Sequence, residues 1–214
     1  SLVNKTYLQH FFKEFKYTKN IQDINNSASK KLFLNSYWKD MKYAEFSKNY
    51  ISASLKKNSK INTGFLQNNN KTMLHVRRGD FVKNNWNLDS SFYKKGLEII
   101  NNNGEFDFDI FTDDPKWVSQ QSIFHKASNV YYQKTSQSLD SGNFDNMDDR
   151  DETVSTFSKM LCYKHFVVGN SSFAFWAAFL KGKNDSVVVV PEPWFKNNDH
   201  PVLKKIDWHT VRNV

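Results

Sequence analysis

Along residues 71–214 the apolar positions come in short unbroken runs, whereas along residues 1–70 they recur at helical spacing. The runs are "MLHV" (73–76), "FDIF" (108–111), "VYY" (130–132), "FVVG" (166–169) and "VVVV" (187–190). Between them lie the helix-length segments "SSFYKKGLEIINNNG", "DPKWVSQQSIFHKA", "DETVSTFSKMLCYKH" and "SSFAFWAAFLKGK". Strands alternating with helices imply right-handed crossover units and a parallel sheet. The all-apolar "VVVV" suits a strand covered on both faces. In the first part, Leu2, Tyr7, Leu8, Phe11, Phe12 and Phe15 fall near one helical face. "IQDINNSASKK" is a polar connection, and the segment from Leu32 to Lys57 resumes with Tyr37, Trp38, Tyr43 and Phe46. A polar stretch from Asn58 to Lys71 marks a boundary. Two parts are therefore expected, a mostly helical 1–70 and an α/β domain over 71–214.

Composition narrows the class. A chain of 214 residues, 39% hydrophobic and 16% aromatic, can build a substantial core. With 7 Gly and 4 Pro it is neither fibrous nor linker-rich. The net charge of +8 points to an anionic partner: nucleic acid, a membrane surface or a phosphorylated small molecule. The lysines are spread along the chain and no basic-aromatic motif occurs, which favours a solvated lysine surface over a nucleic-acid groove. The single cysteine, Cys162, excludes an internal disulfide framework and fits a reducing compartment. No run of 18 apolar residues occurs, and the start does not resemble a signal peptide. The chain opens on Ser1 rather than Met, which leaves open whether the gene product extends further.

In an open parallel sheet, ligands bind beyond the carboxyl ends of the strands, so the residues after each run carry the candidate chemistry. After "MLHV" stand Arg77, Arg78, Gly79 and Asp80, including two of only four arginines in the chain. After "FDIF" come Thr112, Asp113, Asp114 and Pro115, and after "FVVG" come Asn170, Ser171, Ser172 and Phe173. Two planar guanidiniums suit the oxygens of a diphosphate; the plainer alternative is a surface pair bridged locally to Asp80. Asp114 fits a helix N-cap with Pro115 at the first position, leaving Asp113 for a nucleobase edge or a sugar hydroxyl. "GNSS" supplies a second cap, and its spare hydroxyl with the free N–H groups would suit an anion. Phe173, Phe175, Trp176 and Phe179 fit a core better than a ligand stack. The six histidines lack metal-ligand spacing. "DNMDDRDE" (145–152) fits a solvated loop before a helix. Arg78-Gly79-Asp80 also spells an adhesion tripeptide, a motif short enough to recur by chance.

"MLHVRRGDFV", "FDIFTDDPKWV", "FVVGNSSFAFWAAFL" and "PEPWFKNNDHP", preceded by "LFLNSYWKDMKY", resemble in order the motifs of the bacterial α-1,2-fucosyltransferases, glycosyltransferase family 11. The likeness spans residues 32 to 208. Its His-x-Arg-Arg block is shared with α-1,6- and protein O-fucosyltransferases, while the Asn-Ser-Ser-Phe block before Trp-Ala-Ala is more specific to the α-1,2 group. The resemblance implies a GT-B-like, Rossmann-type donor-binding domain that uses GDP-fucose, inverts at the anomeric carbon and needs no metal. It implies that Arg77 grips the β-phosphate, with Asp80 and Arg78 orienting it or touching phosphate and ribose, and His75 beside the nucleotide. Asp113 and Asp114 would face guanine and ribose with Thr112, while Asn170, Ser171, Ser172 and Phe173 would close over the diphosphate. The acceptor would be a surface glycan such as the lipopolysaccharide O-antigen. The setting would be cytoplasmic, with the basic surface meeting anionic lipid at the inner face of the membrane. The family's Gly-x-Gly-Asn-Gln turn has no counterpart, so the acceptor-side first half is expected to be missing or diverged. Phe175 and Thr156 replace a usual tryptophan and a frequent acidic residue, and no general base is identified. Two other classes stay open. One is a metal-dependent GT-A enzyme using the Asp-x-Asp of "DFD" (107–109); the other is a non-catalytic nucleotide- or glycan-binding domain.

Overall fold

The short apolar runs become parallel strands, buried at the centre of the sheet where both faces are covered and exposed in the run that ends up at its edge. The computed structural model describes residues 15–18, 31–34, 41–57, 69–100, 107–132, 147–182, 185–196 and 207–213. It divides into two compact units, Ser1–Phe46 and Ser47–Val214. This division falls well before the polar boundary expected at 70, of which residues 58–68 lie outside the described residues.

In the first unit, β1 (Phe15–Thr18) pairs in parallel with β2 (Lys31–Leu34), Phe15 opposite Lys31 and Thr18 opposite Leu34. The helical expectation is corrected at both segments. Four-residue aromatic and aliphatic stretches fit either period, and a non-local partner decides between them. Helix does form at α1 (Met41–Lys57), which runs on into the second unit. The helix expected over residues 2–14 lies outside the described residues.

The second unit holds β3 (Asn69–Val76), α2 (Gly79–Lys83), α3 (Ser90–Ile100), β4 (Phe108–Thr112), α4 (Pro115–Ser119) and a 3-10 turn (Ser122–Phe124). It continues through β5 (Asn129–Tyr132), α5 (Met147–Met160), β6 (Tyr163–Val167), α6 (Ser172–Lys181), β7 (Val188–Glu192) and β8 (His209–Arg212). The six strands are all parallel in the order β5-β4-β3-β6-β7-β8. The chain moves outward from β3 through β4 to β5, then returns to β6 on the other side of β3. That reversal creates a switch point between β3 and β6, where crossovers leave in opposite directions and open a crevice.

All five expected strands are present. β8 was not foreseen, because Val211 is its one buried apolar residue and the pattern around it is weak. Helix α5 begins at Met147, so most of the acidic stretch read as a loop is helical. Helix α3 buries Phe92, Tyr93, Gly96 and Leu97, a one-sided stripe at helical spacing. Gly96 permits its close seat on β6, since an added Cβ would lie 2.7 Å from Val167 Cγ1. Helix α6 is apolar nearly all round and buries Ala174, Phe175, Ala177, Ala178, Phe179 and Leu180. Phe175 and Phe179 stack at 5.5 Å, the core role expected of them.

Candidate functional site

Arg77 and Arg78 follow the last residue of β3, and the turn after β4 fastens them. The Arg78 backbone N–H donates to Asp113 Oδ1 at 2.7 Å. Asp113 Oδ2 lies 3.0 Å from Arg77 Nη1, an ion pair without hydrogen-bond alignment. Arg77 Nη2 donates to Asp80 Oδ1 at 2.8 Å. Arg78 Nε donates to Asp114 Oδ2 at 3.2 Å, and its guanidinium lies 4.1 Å from the centre of the Trp117 ring. Asp114 Oδ1 also accepts from the Trp117 N–H at 3.0 Å, so the expected cap on Pro115–Ser119 is formed. Thr112 Oγ1 accepts from the Asp114 N–H at 2.9 Å and completes the turn. The Asp113 side chain is only 4% exposed against 27% for Arg77, so it faces the arginines rather than open solvent.

His75 is buried in β3 beside them. Burial, aided by the Arg77 charge, pushes its pKa down to about 3, so the imidazole is neutral at physiological pH. Its Nδ1 has no hydrogen-bond partner. Gly169 lets the end of β6 approach this residue; a Cβ there would meet the His75 carbonyl oxygen at 2.7 Å. A cleft of about 40 Å³ is lined by His75, Arg77, Thr112 and Asp113 together with Phe111, Tyr131, Tyr132, Thr156 and Met160. The last five escaped the sequence reading as site residues. Tyr131 and Tyr132 were legible only as the end of an apolar run, whose position on the carboxyl edge was the available signal. Lys159 sits 4.7 Å from the centre of the Tyr131 ring.

At the end of β6, buried Asn170 donates from Nδ2 to the Trp86 carbonyl at 2.6 Å, while its Oδ1 is unpartnered. Ser171 occupies the N-cap position of α6, yet its hydroxyl makes no capping hydrogen bond, contrary to the cap expected of "GNSS". Ser172 is exposed. Phe173 packs against Phe157 at 5.2 Å, a tilted pair between α6 and α5. Thus the ends of β3, β4 and β6 deliver arginines, carboxylates, an amide and hydroxyls to one edge, as the sequence order implied.

Asp107 and Asp109 stand at the other edge, where the strands begin. Asp109 accepts from Tyr163 Oη at 2.6 Å and Asn129 Nδ2 at 2.9 Å. Asp107 accepts from Ser128 Oγ, and Lys71 Nζ lies 2.9 Å from it, which lowers its pKa. The Asp-x-Asp is therefore spent on internal partners away from the arginines. Among the described residues, no group of three or more His, Cys, Asp or Glu is placed to hold a metal ion. Among them too, no helix is long and apolar enough to cross a membrane.

The chain matches the model of glycosyl transferase family 11 over residues 4–212. It is 29% identical over 149 residues to the O-antigen biosynthesis glycosyltransferase WbnK of Escherichia coli, covering 66% of this chain and 45% of the relative. It is 23% identical over 207 residues to an alpha-1,2-colitosyltransferase of the same organism, covering 87% of this chain and 64% of the relative. The chain thus spans less than two thirds of either relative. No solved structure matches it significantly.

Proposed function

The chain belongs to glycosyl transferase family 11, and from that premise we propose that it transfers L-fucose from GDP-fucose to a galactose-type hydroxyl of a surface glycan, in α-1,2 linkage, with inversion and without a metal ion. The observation that carries the donor site is the arginine pair at the switch point, held in place before any ligand arrives. In the reaction the acceptor hydroxyl oxygen attacks the anomeric carbon and releases its proton to solvent, while the bond from that carbon to the β-phosphate oxygen breaks and GDP leaves with its electron pair and the negative charge. The partly exposed Arg77 guanidinium stabilises that charge, and its ion pairs to Asp80 and Asp113 orient it in advance. Arg78, stacked on Trp117, supports the diphosphate from the second position. Neutral His75 lies beside the nucleotide without adding charge. The nucleoside lies toward Thr112, Asp113 and Asp114 and the Tyr131–Tyr132 cleft, and Asn170, Ser171, Ser172 and Phe173 close the phosphate side. The acceptor is an O-antigen-type glycan, met on the cytoplasmic side of the membrane, where the basic surface faces anionic lipid.

A second reading, binding of the nucleotide sugar without transfer, has one observation in its favour. Asp80 and Asp113, the carboxylates in contact with Arg77, are both ion-paired to it, which leaves neither free as a general base.

Calorimetric titration with GDP, ADP and UDP, without added metal, tests the donor site. Selective GDP binding is expected, and Arg77→Ala is expected to weaken it about 100-fold, as for loss of a charge-assisted contact. The melting temperature should also fall, because the buried Asp113 carboxylate loses its cation, so the affinities are compared well below the transition of the variant. Wild-type GDP affinity in folded Arg77→Ala would overturn the assignment. Sugar transfer to a galactosyl acceptor separates the enzyme from the binding-only reading.

A further inference from the structure

Arg77 divides the carboxyl edge into two halves of opposite character. Toward β4 and β5 lie carboxylates, hydroxyls and the cleft already described. Toward β6 and β7 lies an aromatic cluster. The Arg77 guanidinium is 5.6 Å from the centre of the Phe81 ring. The Phe81 and Trp86 rings meet edge-to-face at 5.7 Å, and Trp86 meets Phe195, which follows β7, at 5.0 Å. The turn carrying Trp86 is tightly held. Asn85 has φ 54, the Trp86 N–H donates to the Phe81 carbonyl at 2.8 Å, and Asn170 Nδ2 donates to the Trp86 carbonyl at 2.6 Å. Trp86 is nevertheless 36% exposed. A fixed, part-exposed indole, separated from the Arg77 guanidinium by the Phe81 ring, has the character of a binding surface rather than of core.

We infer that Trp86, backed by Phe81 and Phe195, is the platform for the sugar of the nucleotide-sugar donor, a 6-deoxyhexose. This rests on the donor-site reading above. A nucleotide sugar is itself divided at its β-phosphate, with a charged, hydrogen-bonding nucleoside diphosphate on one side and a pyranose on the other. With the β-phosphate at Arg77 and the nucleoside toward β4 and β5, the sugar lies toward the aromatic half. A 6-deoxy sugar carries a methyl group where other hexoses carry a hydroxymethyl. Aromatic carbon welcomes that methyl and the C–H face of the ring, and it offers little to a hydroxymethyl.

The test is titration of wild type, Trp86→Ala and Trp86→Phe with GDP, GDP-fucose and GDP-mannose. Trp86→Ala should bind GDP like wild type, which also reports that the arginine site is folded. It should bind GDP-fucose about tenfold more weakly, matching exposure of roughly 50 Å² of apolar surface. Trp86→Phe should recover most of the loss, and wild-type preference for GDP-fucose over GDP-mannose should shrink in Trp86→Ala. Unchanged GDP-fucose affinity in Trp86→Ala overturns the platform, including the case where the variant instead raises the KM of a galactosyl acceptor, which would assign the indole to the acceptor. Equal weakening of GDP and GDP-fucose also overturns it, since the residue would then act through the arginine turn. If wild type binds no GDP, the donor-site reading fails first and the platform falls with it.

Discussion

The two edges of the six-stranded sheet use the same residue types to opposite ends. At the amino edge, Asp109 is buried, and Tyr163 and Asn129 each donate to one of its oxygens. Asp107 and Lys71 neutralise each other beside it. At the carboxyl edge, Arg77 stays partly exposed between Asp80 and Asp113. There His75 Nδ1 and Asn170 Oδ1 are buried without hydrogen-bond partners, while Asp113 Oδ2 has only its ion pair to Arg77. Asn69 Oδ1 at the start of β3 and Tyr93 Oη on α3 are unpartnered too, so what sets the carboxyl edge apart is that its unpartnered groups lie beside a partly exposed cation, where a ligand could use them. A carboxylate next to a cation is therefore not evidence of a site; the unused hydrogen-bonding capacity around it is.

The largest expected break in this comparison is at the closed edge. Asp109→Ala leaves Tyr163 Oη and Asn129 Nδ2 without an acceptor and should cost about 3 kcal/mol of folding stability. GDP affinity of the protein that remains folded should be unchanged, as read by urea unfolding and calorimetry side by side. A joint loss of stability and GDP affinity would show that the edges are coupled and undo the contrast.

Next comes the buried imidazole at the open edge. The folded pKa of His75, about 3, lies below its ordinary value of 6.5, so the unfolded chain takes up a proton in that window and the folded protein does not. Its contribution to stability is complete above 6.5 and is lost as pH falls toward 3, at about 1.4 kcal/mol per pH unit. Between pH 7 and pH 5, wild type should therefore lose about 2 kcal/mol more than His75→Asn. Parallel losses in urea melts at the two pH values would mean that His75 is already protonated when folded.

The smallest effect is the subtlest. Asp113→Asn keeps an oxygen for the Arg78 N–H but removes the charge beside Arg77. It should weaken GDP binding about tenfold with little change in melting temperature, a positioning loss rather than a lost ligand contact. If Asp113→Asn instead altered the preference for GDP over ADP and left the overall strength intact, Asp113 would contact the base directly.

Much of this was legible beforehand. Five apolar runs gave five of the six main strands because strands in a covered sheet are mostly apolar, a local signal that held even for the exposed edge strand β5. The Asp114–Pro115 helix start followed from capping chemistry within four residues, and the meeting of the three strand ends at one edge followed from the parallel order of the strands. What failed was non-local. Phe15–Thr18 and Lys31–Leu34 became strands because each found a parallel partner. Tyr131, Tyr132, Thr156 and Met160 joined the cleft because β5 and α5 fold back beside β3.

Periodicity and local backbone rules were enough for five of the strands, the edge at which their ends meet and the residue types available there. Which carboxylates were already spent depended on packing. Asp113 was read as open to a ligand and proves to be turned onto the arginines, and the Asp-x-Asp proves to be a pair of internal acceptors. The physical reason is that hydrogen-bond satisfaction depends on partners 20 to 54 positions away in sequence, as from Asp109 to Asn129 and Tyr163, and only packing brings those within 3 Å.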